Sequence, residues 1–242
     1  MAQELRYRQQ IKLAGFGERA QQVIERARVL VVGAGGLGSP VILYLAGAGV
    51  GTIGIVDNDV VTEANLHRQV IHHAPGALKA GSAASAATAL NPFVHALPIA
   101  KRLTSNTAHE ILQRWDVVLD CSDNFPTRYL IDEVCASAHI PVVWGAVAGF
   151  YGQVSVFGHG VRNTAGEVLG GSLREVYPEQ PERSQTDDPH VVGTFGPLCG
   201  VVGAMMAGEA LKLIGGFGKP LVGALALVDA AGGRVRTVEY AH

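Results

Sequence analysis

The sequence predicts an α/β fold: a Rossmann-like, doubly wound, mostly parallel sheet with a partly antiparallel C-terminal extension. Three observations carry this. Short apolar runs alternate with helical segments up to Gly149, and runs without a polar side mark strands buried on both faces. The first run, Val29–Val32, leads into Gly33-Ala34-Gly35-Gly36-Leu37-Gly38, a G-x-G-x-x-G turn. Asp57 ends the second run, 19 residues after Gly38, where a dinucleotide-binding βαβ unit places its ribose-binding acid.

The elements follow in order. Glu4–Lys12 and Glu18–Ala27 read as helices, Val29–Val32 as a strand, Leu37–Ala48 as a helix and Thr52–Val56 as the second strand. Pro75 and Gly76 mark a loop before a helix from Lys79 to Leu90, which Asn91-Pro92 stops. Val94–Ile99 is a third strand. Thr104–Trp115 is helical, with Ser105 or Asn106 as its cap. "DVVLDCSDN" is a strand ending in a polar cluster, and Pro126 opens the helix that runs to Ala138. "IPVVWGAVAG" is the fifth strand. The β-α repetition argues for a parallel sheet.

After Gly149 the pattern changes. "GQVSVFG" alternates, as a strand of a more antiparallel part does. Residues 161–190 are polar, rich in Pro, Glu, Arg and Asp, and without periodicity. A run of that kind inside a compact domain is functional or mobile, here a crossover loop. A helix from Gly200 to Ile214 and a hairpin across Gly232-Gly233 complete the chain. With no internal repeat or linker, residues 1–242 read as a single domain.

Bulk properties exclude several function classes. The chain has 242 residues, is 48% hydrophobic and 17% charged, and carries a net charge of −2, so it can bury a sizeable core. No Lys/Arg-rich run points to nucleic acid or to an anionic membrane. The polar N-terminus is not a signal peptide, and a cytoplasmic location is expected. Residues 191–208 carry no charge but include five glycines and a proline, which suits a closely packed core helix better than a membrane span. Cys121, Cys135 and Cys199 are widely spaced and form neither a disulfide framework nor a C-x-x-C metal pair. The nine histidines show no H-E-x-x-H. His72-His73 read as exposed loop residues, and no histidine is given a catalytic role.

The chemistry-bearing residues begin with the glycine loop. Gly33 permits the tight turn, Gly35 lets a phosphate approach the backbone, and Gly38 allows close helix–strand packing. The following helix start offers free N–H groups and a positive dipole end. The loop by itself fits NAD as well as other nucleotides. Asp57 is placed to accept from a ribose, with Asp59 the better candidate for turn capping. In Asn65-Leu66-His67-Arg68-Gln69, Arg68 offers a fork of donors for phosphate, and Asn65 and Gln69 add uncharged ones. Lys79 is a second phosphate-neutralising cation. In "DCSDN", Asp123 suits a magnesium ion, Asp120 a backbone hydrogen bond, and Cys121 the core.

These residues, in this order and with the N-terminal "ELRYRQQIKLAGFGERAQ" and the later "GEALKLIGGFGKP", closely resemble the ThiF/MoeB/HesA adenylyltransferases, bacterial relatives of ubiquitin-activating enzymes. The resemblance covers nearly the whole chain. It implies a homodimer that binds ATP and Mg²⁺. It also implies a small ubiquitin-like sulfur-carrier protein, ThiS-like or MoaD-like, whose C-terminal glycine is adenylated for thiamine or molybdopterin synthesis. Gly35 and Gly36 would then lie on the phosphates, Asp57 on the ribose, Asn65, Arg68 and Lys79 on the triphosphate with Gln69 beside them, and Asp123 at the magnesium. Adenylation of a peptide or other carboxylate, or binding without turnover, are the alternatives.

Three departures from the family pattern stand out. The N-terminal arginine expected to reach the partner subunit's nucleotide is Gln9 here, with Arg8 one residue early, a turn of about 100° on a helix. Ser172 and Glu175 occupy the first cysteine pair of the structural zinc site, so no zinc is expected. Pro189 stands where relatives carry a crossover-loop cysteine. Cys199, ten residues on, reads as a core residue.

Overall fold

In a computed structural model, residues 2–163, 165–181 and 192–240 are described. Their elements are α1 (Ala2–Ile11), α2 (Gly17–Ile24), β1 (Arg28–Val32), α3 (Gly38–Ala48), β2 (Thr52–Val56), a 3-10 turn (Glu63–Asn65), α4 (Lys79–Leu90), β3 (His95–Ile99), α5 (Ser105–Leu112), β4 (Val117–Asp120), α6 (Phe125–Ser137), β5 (Val142–Ala148), β6 (Tyr151–Phe157), α7 (Leu173–Val176), α8 (Gly196–Gly215), β7 (Ala224–Asp229) and β8 (Arg234–Glu239).

All eight strands form one sheet in the order β3-β2-β1-β4-β5-β6-β7-β8. The five strands from β3 to β5 are parallel, and β6, β7 and β8 run antiparallel to their neighbours. The change of direction has a local cause. Only Gly149 and Phe150 separate β5 from β6, and Gly149 is left-handed at φ +56°. Two residues can make a hairpin but not a parallel crossover. The β7–β8 turn contains Gly233 at φ +63°, and Gly232 N–H donates to Asp229 Oδ1 at 2.8 Å.

Alternation along β1 divides the core into two layers. Val29 and Val31 face α3, α4 and α8, while Leu30 and Val32 face α5 and α6. The chain-order reversal falls between β1 and β4. Their register, with Val32 opposite Asp120, brings the glycine loop after β1 beside the polar cluster after β4.

Several sequence expectations shift. The α5 cap is Thr104, not Ser105 or Asn106: Thr104 and Thr107 form a reciprocal capping box. Helix α8 starts at Gly196 rather than Gly200, because Pro197 in the first turn needs no N–H partner. Helix α2 ends at Ile24, where the chain turns into β1. The described part of residues 161–190 is not without structure: Arg162 pairs with Val168, and α7 forms one turn. Helix α8 buries Leu198, Cys199, Val202, Met206 and Ala207 against the sheet. A Cβ on Gly203 would meet Pro40 Cγ at 2.4 Å, the close packing its small residues foretold.

Candidate functional site

The glycine loop is built by close backbone approaches. Gly33 is left-handed at φ +97°, and a Cβ there would meet Cys121 O at 2.8 Å. Gly38 is tighter still: its Cβ would lie 2.0 Å from Gly33 O, so a turn this compact requires glycine. Gly33 N–H donates to Val56 O at 2.8 Å. Ser39 holds Gly35 O twice, through its N–H at 3.0 Å and its hydroxyl at 2.7 Å. The N–H groups of Gly35 and Gly36 have no hydrogen-bond partner among the described residues. Backbone donors left free at a helix start form an anion-binding geometry.

Around this loop the structure gathers most of the residues singled out in the sequence. Asp57 lies at the end of β2. Its Oδ2 accepts from Ala34 N–H and its Oδ1 from Asp59 N–H, both at 2.8 Å, so Asp57 itself holds the turn that was expected of Asp59. Asp59 instead takes Lys79: its Oδ2 is 3.0 Å from Lys79 Nζ, and its carbonyl accepts from Lys79 N–H at 2.9 Å. Lys79 is 6% exposed, at the first position of α4. Arg68 Nη2 donates to Asn65 Oδ1 at 3.2 Å. A Cβ on Gly36 would sit 3.7 Å from Arg68 Cδ and 2.9 Å from Cys199 Sγ, and one on Gly35 would sit 3.6 Å from Gln69 Nε2. Buried Gln69 leaves its Oε1 without a partner among the described residues. The start of α8 closes this side, where a Cβ on Gly196 would meet His67 O at 2.6 Å.

The β4 end supplies the acids. Asp120 is buried and accepts from Ser122 N–H at 2.9 Å, the backbone role expected of it. Burial pushes its carboxyl above the usual range, against the pull of Arg128. Asp123 is exposed, and its Oδ1 accepts from Asn124 Nδ2 at 3.2 Å. Asn124 caps α6 by accepting from Thr127 N–H at 3.0 Å. No group of three or more metal-ligating side chains occurs among the described residues. A magnesium ion would therefore rest on Asp123, water and substrate oxygens, which suits its reluctance to shed water.

Two residues escaped the sequence reading. Arg128, on α6, is buried with its guanidinium over the rings of Phe125 and Trp144, and it donates to Ser122 O at 3.1 Å. Its signal was a lone cation amid the apolar residues of that helix. His72 is not exposed but 4% accessible, 2.8 Å from Ala34 O and 3.0 Å from Ser82 Oγ. His73 is exposed as expected. Burial lowers the His72 pKa below its ordinary value, with Lys79 contributing in the same direction.

The remaining candidates lie elsewhere or offer no nucleophile. Arg8 and Gln9 are both exposed on α1. Ser172 Oγ donates to Glu175 Oε1 at 3.4 Å. Pro189 lies outside the described residues. All three cysteines are buried, and burial raises each thiol, that of Cys199 to about 11 despite nearby Arg68. A cavity of about 610 Å³ opens at the opposite end of the sheet, beside Asp116, Val117 and Pro141, away from the glycine loop.

The ThiF family model matches residues 7–242. A sulfur carrier protein adenylyltransferase of Thermus thermophilus is 46% identical over 227 residues, covering 93% of this chain and 83% of that protein. A probable adenylyltransferase/sulfurtransferase MoeZ of Mycobacterium tuberculosis is 43% identical over 235 residues. There the chain spans 96% of its own length but only 59% of the relative. Among solved structures, E. coli MccB with ATP superposes with a TM-score of 0.78 over 93% of this chain and 67% of that one, at 20% identity, a likeness of fold. With residues 7–242, almost its full length, matched by the family model, the chain belongs to the ThiF family.

Proposed function

We propose that the protein is an ATP-dependent adenylyltransferase acting on the C-terminal glycine carboxylate of a small ubiquitin-like sulfur-carrier protein, for thiamine or molybdopterin biosynthesis in the cytoplasm. One observation carries the reading. The glycine loop after β1, with free N–H groups, lies beside the polar cluster after β4 that contains exposed Asp123, and the segment after β2 brings Arg68 against Gly36 and Lys79 onto Asp59, an arrangement that supports a triphosphate and metal reading. A dehydrogenase has no need of two cations and a metal-facing acid there. Relatives named for sulfur-carrier adenylylation support the substrate class.

A carboxylate is ionised at neutral pH and needs no general base. One of its oxygens bonds to the α-phosphorus of ATP, the bond from that phosphorus to the bridging oxygen breaks, and pyrophosphate leaves. The barrier is the approach of one anion to another. In this reading the Gly35 and Gly36 N–H groups and Arg68 hold the triphosphate, with Asn65 and Gln69 beside them. Lys79 exchanges Asp59 for phosphate, and Asp57 takes the ribose. Asp123 would hold magnesium, which supplies further charge neutralisation when bound. The chain would work as a homodimer, with Arg8 reaching the partner's nucleotide.

ATP–pyrophosphate exchange tests this. Exchange is expected only with a carrier ending in a free Gly-Gly, and removing magnesium should abolish it. Exchange with peptides but no carrier would move the substrate to a peptide carboxylate. ATP binding without exchange on any carrier or peptide would leave a binding protein.

A further inference from the structure

Resting on that reading, we infer that buried His72 is a positioning residue: it holds the Ala34 carbonyl so that the Gly35 N–H faces the triphosphate. Three observations lead there. First, His72 Nε2 lies 2.8 Å from Ala34 O. A carbonyl only accepts, so Nε2 carries the proton, and Nδ1, 3.0 Å from Ser82 Oγ, accepts from that hydroxyl. Second, the same residue is fixed from the other side, where Ala34 N–H donates to Asp57 Oδ2 at 2.8 Å. Third, the Gly35 N–H has no partner among the described residues.

Peptide geometry turns these contacts into a direction. In a trans peptide the C=O and the next N–H point opposite ways. Fixing Ala34 C=O on His72 therefore aims Gly35 N–H away from His72. The next unit is fixed in the same manner, with Gly35 C=O held by Ser39 and Gly36 N–H turned away from α3. Ser39 lies only four residues on, in the first turn of α3. His72 reaches across from a separate segment and also touches Ser82, three residues after Lys79 on α4. One imidazole thus ties the glycine loop to the helix that carries a phosphate-facing lysine. Its neutral state suits this, since burial disfavours a cation there and Lys79 adds to that effect, against the opposing pull of Asp57.

The test separates phosphate positioning from packing by comparing ATP with adenosine, each titrated calorimetrically. His72→Phe keeps an aromatic ring and removes the donor. ATP affinity is expected to fall about tenfold, with adenosine affinity within about twofold of wild type. In exchange assays KM for ATP should rise while kcat stays within about threefold. His72→Gln, whose Nε2 can reach the same carbonyl, should restore ATP affinity to within about threefold. Should the Phe variant not fold, His72→Asn keeps a polar group near Ser82 but falls short of Ala34, and the same ATP-selective loss is expected. In the wild type, ¹⁵N spectra should show His72 as the neutral Nε2–H tautomer. Equal loss of ATP and adenosine, no loss of either, or an Nδ1–H tautomer would overturn the role of His72 alone. Wild-type protein that binds no ATP would overturn the function and this inference together.

Discussion

Gly38 shows how narrowly a single residue can set the site. A Cβ there would lie 2.0 Å from Gly33 O, a backbone atom with no rotamer to yield. Gly38→Ala is therefore expected to push α3 off β1 and cost on the order of 3 kcal/mol or more, read as a lower denaturant midpoint. Gly36 differs, since its added Cβ would meet the side chains of Cys199 and Arg68. At this scale the sequence was legible where chemistry is local. The glycine spacing and Asp57 lie close along the chain, and the turn they build follows from that spacing, whereas the run from Asn65 to Gln69 was singled out by its polar residues and by resemblance. His72 and Arg128 were missed because burial decides what they do, and burial is set by segments distant in sequence. His72 stands beside an exposed His73, and nothing in that pair of letters says which one turns inward.

Helix α6 links local structure to the site at the scale of an element. Asn124 caps it, Asp123 immediately precedes the cap, and Arg128 one turn later grips Ser122 O. Asn124→Ala should cost about 1 kcal/mol of stability in urea melts, with Asn124→Ser recovering most of it. Because Asp123 shares that turn, Asn124→Ala should also raise the magnesium concentration needed for half-maximal exchange. A change in stability with no change in magnesium demand would separate the cap from the metal role proposed for Asp123. Elements were read with small errors because continuous apolar runs of strand length are bounded by Gly, Pro and polar breaks, and the same breakers delimit the helices between them. The errors fell at ends. Thr104 took the cap because its own hydroxyl, just ahead of Ser105 and Asn106, pairs with Thr107. The described part of residues 161–190 carries pairings that lack periodicity altogether, such as Arg162 with Val168, so nothing in its composition announces them.

For the whole molecule, the sheet accounts for why residues far apart in sequence act together. Strand order reverses between β1 and β4, the place where open α/β sheets bind ligands, and the loops leaving their carboxyl ends carry parts of the candidate site. The parallel half was legible from β-α alternation, and the antiparallel half from the alternating "GQVSVFG" and the paired glycines at 232 and 233. The N-terminal arginine belongs to the scale of two chains. Arg8 is exposed on α1, and Gln9 beside it is exposed too. If Arg8 completes the site of a second copy, two variants with different defects should rescue each other. Arg8→Ala would disable the site on the partner, and Lys79→Met its own, so a mixed dimer keeps one site intact. With free exchange of subunits, half the dimers are mixed and half of their sites are whole, giving about a quarter of wild-type exchange activity from two nearly inactive proteins. Mixing in equal amounts after brief subunit dissociation, with pyrophosphate exchange as the readout, distinguishes this arrangement from one in which each chain works alone. In the latter case the mixture only averages the two residual activities, and Arg8→Ala by itself would leave exchange close to wild type.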